Sequence, residues 1–208
     1  MCFSATASFG TSGLLIFAAL LAYKKARTQP MKLFALVPAL FALQQSMEGI
    51  MWVWKNNADA PIYKAAAYIF LLVASSWPAV LPGILTAMEN NISRKRMLRF
   101  CFIAGSVFSL TAYIFLATIP MAASTAAGHI AYSFEPSAWD SYNLTARSVY
   151  VLLTVVPLFV STVRLMWLFG LGVLGTYIAT AIWYSAHITS VWCFFAAMLS
   201  VLVLVIIR

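Results

Sequence analysis

Residues 33–54 read LFALVPALFALQQSMEGIMWVW, and this run decides the fold. It holds no lysine or arginine and a single acidic residue, Glu48, and its apolar side chains cover every helical face. A helix that is hydrophobic all round is a buried or membrane helix, and a bilayer takes about 20 mostly apolar residues to cross. Barrel strands fit poorly, because they alternate apolar and polar residues. Working outward, the same reading gives spans at about 8–23, 33–54, 65–87, 97–119, 147–163, 165–185 and 189–207. The predicted fold class is all-α, a seven-transmembrane-helix bundle, with 1–208 forming a single integral membrane domain.

The composition agrees. Of the 208 residues 63% are hydrophobic, 15% aromatic and 9% charged, with mean hydropathy +0.93. Soluble domains carry roughly a quarter charged residues, so a water-soluble enzyme, a disordered tail and a disulfide-stapled secreted module are excluded. The net charge of +8 would suggest nucleic acid in a soluble protein. Here it reports orientation. Lys24, Lys25, Arg27 and Lys32, then Arg94, Lys95, Arg96 and Arg99, then Arg164 and Arg208 fall on one side of the bundle, and only Lys55, Lys64 and Arg147 on the other. Basic residues collect in cytoplasmic loops, which puts the N-terminus outside and the C-terminus in the cytoplasm. No nucleic-acid partner is expected. The first segment carries its charges after the apolar run, the reverse of a secretory signal, and is expected to stay as a helix.

Most connections are short. The exception is residues 121–146, MAASTAAGHIAYSFEPSAWDSYNLTA, expected as a long outer-side loop. Loops of this length are usually functional or disordered, and His129, Tyr132, Phe134, Trp139 and Tyr142 give this one material to pack down as a lid. Gly170-Leu171-Gly172-Val173-Leu174-Gly175 matches a dinucleotide fingerprint but lies inside a span, where close helix packing explains it better.

Glu48 is the most informative position, about seven residues or roughly 10 Å from the outer end of its span. A carboxylate in hydrocarbon costs on the order of 3 kcal/mol, so it is expected to face the bundle interior as helix glue, as part of a binding site or as a proton-handling group. Gln44, Gln45 and Trp52 stand three or four residues away on the same face, a candidate ligand-binding stripe that Tyr132 would complete from the lid. His187, in the turn before the last span, and Cys193, one and a half turns further on, are expected at the same depth. Cys2 follows the initiator methionine. Exposed as an N-terminal residue it would hold an amine and a thiol on adjacent carbons, a chelator or a nucleophile–base pair, while the plainer readings are an incidental residue or half of a disulfide with Cys193. Thiolate, imidazole and carboxylate are the side chains that ligate zinc, copper or iron, although the spacing here matches no compact metal motif.

The segments MCFSATASF, LFALQQSMEGIMW, GHIAY and SVWCFFAAMLSVLV together resemble an uncharacterised family of small multi-pass bacterial membrane proteins that open Met-Cys-Phe-Ser-Ala. The resemblance spans the whole chain. It implies an inner (plasma) membrane location and places Cys2, Gln45, Glu48, Trp52, His129, Trp192 and Cys193 in recurrent segments; it supplies no reaction. Two functions stay open. One is a sensor, receptor or carrier that binds a small amphipathic or cationic molecule at Gln44, Gln45, Glu48, Trp52 and Tyr132. A cytoplasmic protein partner or anionic lipid would then meet Arg94, Lys95, Arg96 and Arg99. The other is a metal-dependent membrane-embedded hydrolase or oxidoreductase, with Cys2, His129, His187 and Cys193 as ligands to a transition metal and Glu48 and Cys2 as catalytic groups.

Overall fold

A stripe of mostly small buried residues runs down the first helix, α1 (Ala5–Lys25): Ser8, Thr11, Ser12, Leu15, Ala18, Ala19 and Ala22 recur at three- and four-residue spacing. Its bulky side chains, among them Phe9, Leu14, Phe17 and Leu20, are exposed. Small residues inward and large apolar ones outward is the distribution of a helix that packs closely on its neighbours with lipid as its solvent.

The computed structural model describes residues 4–126, 128–134 and 138–207, with 126 and 138–143 described by their backbone. After α1 come α2 (Gln29–Ala35), α3 (Val37–Val53), α4 (Pro61–Met88), α5 (Ile92–Thr118), a β1 (Met121–Ala126) and β2 (His129–Phe134) hairpin, α6 (Ala138–Val160), α7 (Met166–Trp183), α8 (Ile188–Leu199) and α9 (Val203–Ile206). Among the described residues six helical segments are long and apolar enough to cross a membrane, and the apolar part of α6, Leu144–Val160, is shorter.

Local chemistry sets the boundaries. Ser4, Thr28 and Asn91 cap α1, α2 and α5 by accepting from the amides of Ala7, Met31 and Arg94. The run expected as one span at 33–54 begins earlier, at Gln29, and is broken at Leu36. Pro38 has no N–H and disfavours helical geometry just before it, so α2 ends on a tighter turn from Leu36 N–H to the Leu33 carbonyl. The last span is likewise interrupted, by a 3-10 turn at Ser200–Leu202 between α8 and α9. The stretch 121–146, expected as a loop, forms the hairpin and opens α6. Gly128 turns the hairpin at φ 78°, a left-handed conformation that glycine adopts without a Cβ penalty. Among the described residues the regular structure is helical apart from this two-stranded sheet.

The chain forms two units, Met1–Ala74 with Ala122–Ser133 and Gly172–Arg208, and Ser75–Met121 with Phe134–Leu171. In the first, α1 lies antiparallel on α3. The Ser12 hydroxyl donates to the Ala42 carbonyl at 2.9 Å and lies 2.8 Å from the Ser46 hydroxyl, and Phe9 presses on the bare Cα of Gly49. Trp192 of α8 donates its indole N–H to the Val173 carbonyl at 3.2 Å, and Gly172 makes room for Leu199.

In the second unit Pro82 deprives the Pro78 carbonyl of its helical partner. Gly105 of α5 packs directly on that oxygen, and one turn away on each helix Ser109 donates to the Ser75 carbonyl at 2.7 Å. Gly170 packs on Leu158 and Phe159. Gly170 and Gly172 of the fingerprint-like sequence thus serve helix packing, as expected, whereas Gly175 meets nothing within 4 Å.

Candidate functional site

Three polar side chains of α3, Gln44, Gln45 and Glu48, are completely buried in the first unit. Their spacing puts them on one face, with Met51 and Trp52 one turn further along. The facing element is α8, where Ser190 and Cys193 stand one turn apart and are also buried. Gln45 Nε2 donates to Glu48 Oε2 at 3.1 Å, and the Ser190 hydroxyl donates to Glu48 Oε1 at 2.5 Å. Gln44 Nε2 donates to Cys193 Sγ at 3.7 Å, a weak bond to a soft acceptor. Glu48 and Cys193 therefore belong to one polar seam between α3 and α8.

The seam does not use all its hydrogen-bonding capacity. Gln45 Oε1 is buried with no hydrogen-bond partner among the described residues, and so is the indole N–H of Trp52, a residue only 8% exposed. Turning the Gln45 amide over would set its oxygen against the carboxylate, so the open atom is the acceptor. Tyr63 OH and Ser8 Oγ, also in the first unit, are buried in the same state. Buried polar atoms are nearly always satisfied, and an exception asks for an explanation such as a bound molecule.

The hairpin closes over this end of the unit. Tyr132 of β2 stacks on Phe70 of α4 with ring centres 5.3 Å apart, and its hydroxyl reaches Met51 Sδ at 3.7 Å. His129, at the start of β2, is 9% exposed and lies edge-on to Tyr184, while its ring centre is 4.8 Å from that of His187. Burial, and then the neighbouring His187 imidazole, push the His129 pKa below the usual histidine value. His187 precedes Ser190 by three residues, so the histidine pair stands one helical turn beyond the Glu48–Ser190 bond.

The structure thus brings together Gln44, Gln45, Glu48 and Cys193 in one place and His129 with His187 in another, with Tyr132 and Trp52 on the side of the seam nearer the hairpin. Cys2 lies outside the described residues, as do the side chains of Trp139 and Tyr142. Among the described residues no group of three or more His, Cys, Asp or Glu side chains is placed to hold a metal ion.

Two polar residues carry more than the sequence suggested. Ser190, in HITSVWC, was not singled out from the sequence, although its place midway between His187 and Cys193 was the available signal. Glu89, in the α4–α5 turn of the second unit, was not singled out from the sequence and is fully buried. Its carboxylate accepts from the Asn90 and Asn91 amides at 3.1 and 2.9 Å and from the Thr162 amide and hydroxyl, both at 2.7 Å. Burial raises its pKa, and these four bonds outweigh that effect and hold it below the usual carboxylate value.

A family model, DUF6629, a family of unknown function, matches residues 1–208, and the chain belongs to that family. No curated protein and no solved structure matches it.

Proposed function

We propose that this member of a family of unknown function is a bacterial inner-membrane protein that crosses the bilayer seven times, with its N-terminus outside and its C-terminus in the cytoplasm, and that its first unit binds a small molecule at the Glu48 seam as a sensor, receptor or carrier. The topology rests on the basic residues, ten of which fall on one side of seven apolar runs. α6 has 23 residues in all, about 35 Å of helix, so it is long enough to serve as the fifth span although its apolar part is short.

One observation carries the ligand reading: Gln45 Oε1 and the Trp52 indole N–H are buried with no hydrogen-bond partner among the described residues, on the face of α3 that also carries Glu48. A carboxylate kept only to tie α3 to α8 would need the Ser190 and Gln45 donors and nothing more. An unfilled acceptor and an unfilled donor on the same helical face are what a pre-formed site offers a polar guest. Tyr132 and the hairpin would cover that guest, and the basic start of α5 at Arg94, Lys95, Arg96 and Arg99 would contact anionic lipid or a cytoplasmic partner. The test is native mass spectrometry of protein released gently from its membrane. A small-molecule adduct present on the wild type and lost in Gln45→Leu and Trp52→Phe supports the reading. Bare protein that stays bare and gains no thermal stability across a panel of small polar molecules would end it.

The contact between His129 and His187 favours a second reading, a metal-dependent enzyme in which these imidazoles supply two ligands and Cys2 another. Elemental analysis separates the two: a stoichiometric transition metal, lost in His129→Ala and His187→Ala, would move the assignment to chemistry.

A further inference from the structure

The basic residues of the second unit gather at one end and meet no carboxylate there. The Glu89 bonds to Thr162 fasten the α4–α5 turn to the α6–α7 connection, and Arg94 Nη1 donates to the Val160 carbonyl at 2.9 Å. Arg164, two residues past Thr162, is thereby brought to the end where α5 begins with Arg94, Lys95, Arg96 and Arg99. Glu89 itself is buried and already accepts four hydrogen bonds, from Asn90, Asn91 and Thr162. None of these five cations forms an ion pair among the described residues, and the Lys64–Asp59 pair belongs to the first unit.

Arg96 also heads an apolar stripe. Phe100, Ile103, Val107, Leu110 and Ile114 follow it at alternating spacings of four and three residues, so they share one face of α5, with Arg99 at its edge. The five apolar side chains are between 57% and 74% exposed, and Arg96 and Arg99 are exposed as well. From Arg96 to Val107 the helix rises about 16 Å, close to half of a hydrocarbon core of about 30 Å, which is the depth one acyl chain reaches. A second copy of the chain fits this face poorly. Helices associate in lipid through small residues that let backbones approach, and this stripe is bulky throughout. A two-fold contact along it, with both chains in the same membrane orientation, would also set Arg96 against Arg96. An acidic protein segment would match the charge but not the stripe, which runs on into the apolar part of the helix.

Resting on the topology and the anionic contact proposed above, we propose that the start of α5 binds one anionic phospholipid of the cytoplasmic leaflet. Its phosphate is held by Arg96 and Arg99, Lys95 and Arg164 add positive field, and an acyl chain lies along Phe100, Ile103 and Val107. Arginine suits the phosphate because its planar fork offers two parallel N–H donors.

The test uses the full chain, stripped of lipid in detergent and titrated with dioleoyl phosphatidylglycerol, with lipid-bound species counted by native mass spectrometry. The comparators are dioleoyl phosphatidylcholine, with the same tails and no net charge, and glycerol 3-phosphate, with the charge and no tails. A lysine or arginine beside an anionic headgroup is worth about fivefold in affinity, so phosphatidylglycerol is expected to bind at least about tenfold tighter than either. The margin should vanish in Arg96→Gln/Arg99→Gln and persist in Lys24→Gln/Lys25→Gln, whose exposed charges end α1. Equal binding of the two phospholipids, or a margin that survives Arg96→Gln/Arg99→Gln, overturns the proposal. So does glycerol 3-phosphate binding as tightly as phosphatidylglycerol (a soluble phosphate site), hexaglutamate binding more tightly (an acidic protein surface), or paired chains in place of lipid adducts (a contact between copies). Detergent presents no sides, so these outcomes judge the site alone. Topology is read separately from a C-terminal green fluorescent protein fusion in bacteria: a bright fusion supports the cytoplasmic leaflet, and a dark one overturns the leaflet while leaving the site.

Discussion

Glu89 grips Thr162 at two points, its Oε2 accepting the backbone N–H and its Oε1 accepting the hydroxyl, both at 2.7 Å. The two residues are 73 positions apart, and the bond fastens the α4–α5 turn to the α6–α7 connection within the second unit. Three residues further on, Leu165 sits at φ 62°, a left-handed conformation unusual for a leucine. Such strain costs on the order of 1–3 kcal/mol and persists only where the surroundings over-determine it, and the Glu89 bonds are part of what fixes this connection.

Replacing Glu89 by glutamine keeps the shape but supplies one acceptor oxygen in place of two. The variant is expected to lose about 2–3 kcal/mol, measured by thermal or denaturant unfolding in detergent. Because the folded pKa lies below the unfolded one, the stabilisation is present above about pH 4.3 and is lost as pH falls through the lower folded value. Glu89→Gln should therefore flatten the acid limb of the stability profile; a limb as steep as that of the wild type would assign it to another group.

Gly105 and Gly175 should respond in opposite ways to alanine. A Cβ on Gly105 would lie 1.7 Å from the Pro78 carbonyl oxygen, an overlap that only backbone movement can relieve. Gly105→Ala is expected to cost more than about 3 kcal/mol or to abolish folding. Gly175 has nothing within 4 Å, so alanine there should be neutral or stabilise by about 0.5–1 kcal/mol through helix propensity. Melting temperatures of the two variants in one detergent make the comparison.

Acid should loosen the hairpin. His129 is held below its usual pKa, so the docked hairpin favours the neutral imidazole. Above about pH 6.5 His129 is neutral in both the docked and the undocked form and adds no pH-dependent cost to docking. As pH falls below that value the undocked form takes up protons more readily, and docking weakens. Amide exchange in β1 and β2 should speed up at pH 5.5 relative to pH 7.5, more than in α3, and His129→Phe should remove the difference.

Two hydroxyls of the first unit separate a bonded group from an open one. Ser190→Ala withdraws a donor from buried Glu48 and is expected to cost about 1–3 kcal/mol. Tyr63→Phe removes a buried hydroxyl that has no partner among the described residues and should be neutral or slightly stabilising in ligand-free protein. A large loss at Tyr63 would mean that its hydroxyl is engaged in the purified molecule.

The helices and their approximate limits were legible because each apolar run states its own length, and the Glu48 face was legible because Gln44, Gln45 and Trp52 sit at helical spacing from it. The break at Leu36 was written in Pro38 but hidden by the apolar residues on both sides. Ser190 was not legible as a partner of Glu48, since one hydroxyl in an apolar helix is ordinary and the carboxylate it meets lies 142 positions away. The hairpin escaped for a related reason: MAASTA has no alternating pattern, and the contacts that hold β2, Tyr132 on Phe70 and His129 on His187, are tertiary. Glu89 escaped because a carboxylate between two helices is normally hydrated, and only the arrival of Thr162 makes its burial favourable.

The separation of Glu48 from Ser190 also sets an order on biosynthesis. At about 5–20 residues per second, on the order of ten seconds or more passes after Glu48 is made before Ser190 exists to meet it. During that interval α3 resides in the membrane, or waits beside it, without the donor that α8 brings. The polar seam is completed only once α8 has been translated, so a ribosome that stops short of α8 leaves a chain whose second apolar run still carries that carboxylate without its serine. Such a chain differs from the finished one at the positions that quality control in a membrane can sense, an unshielded polar group within an otherwise acceptable helix.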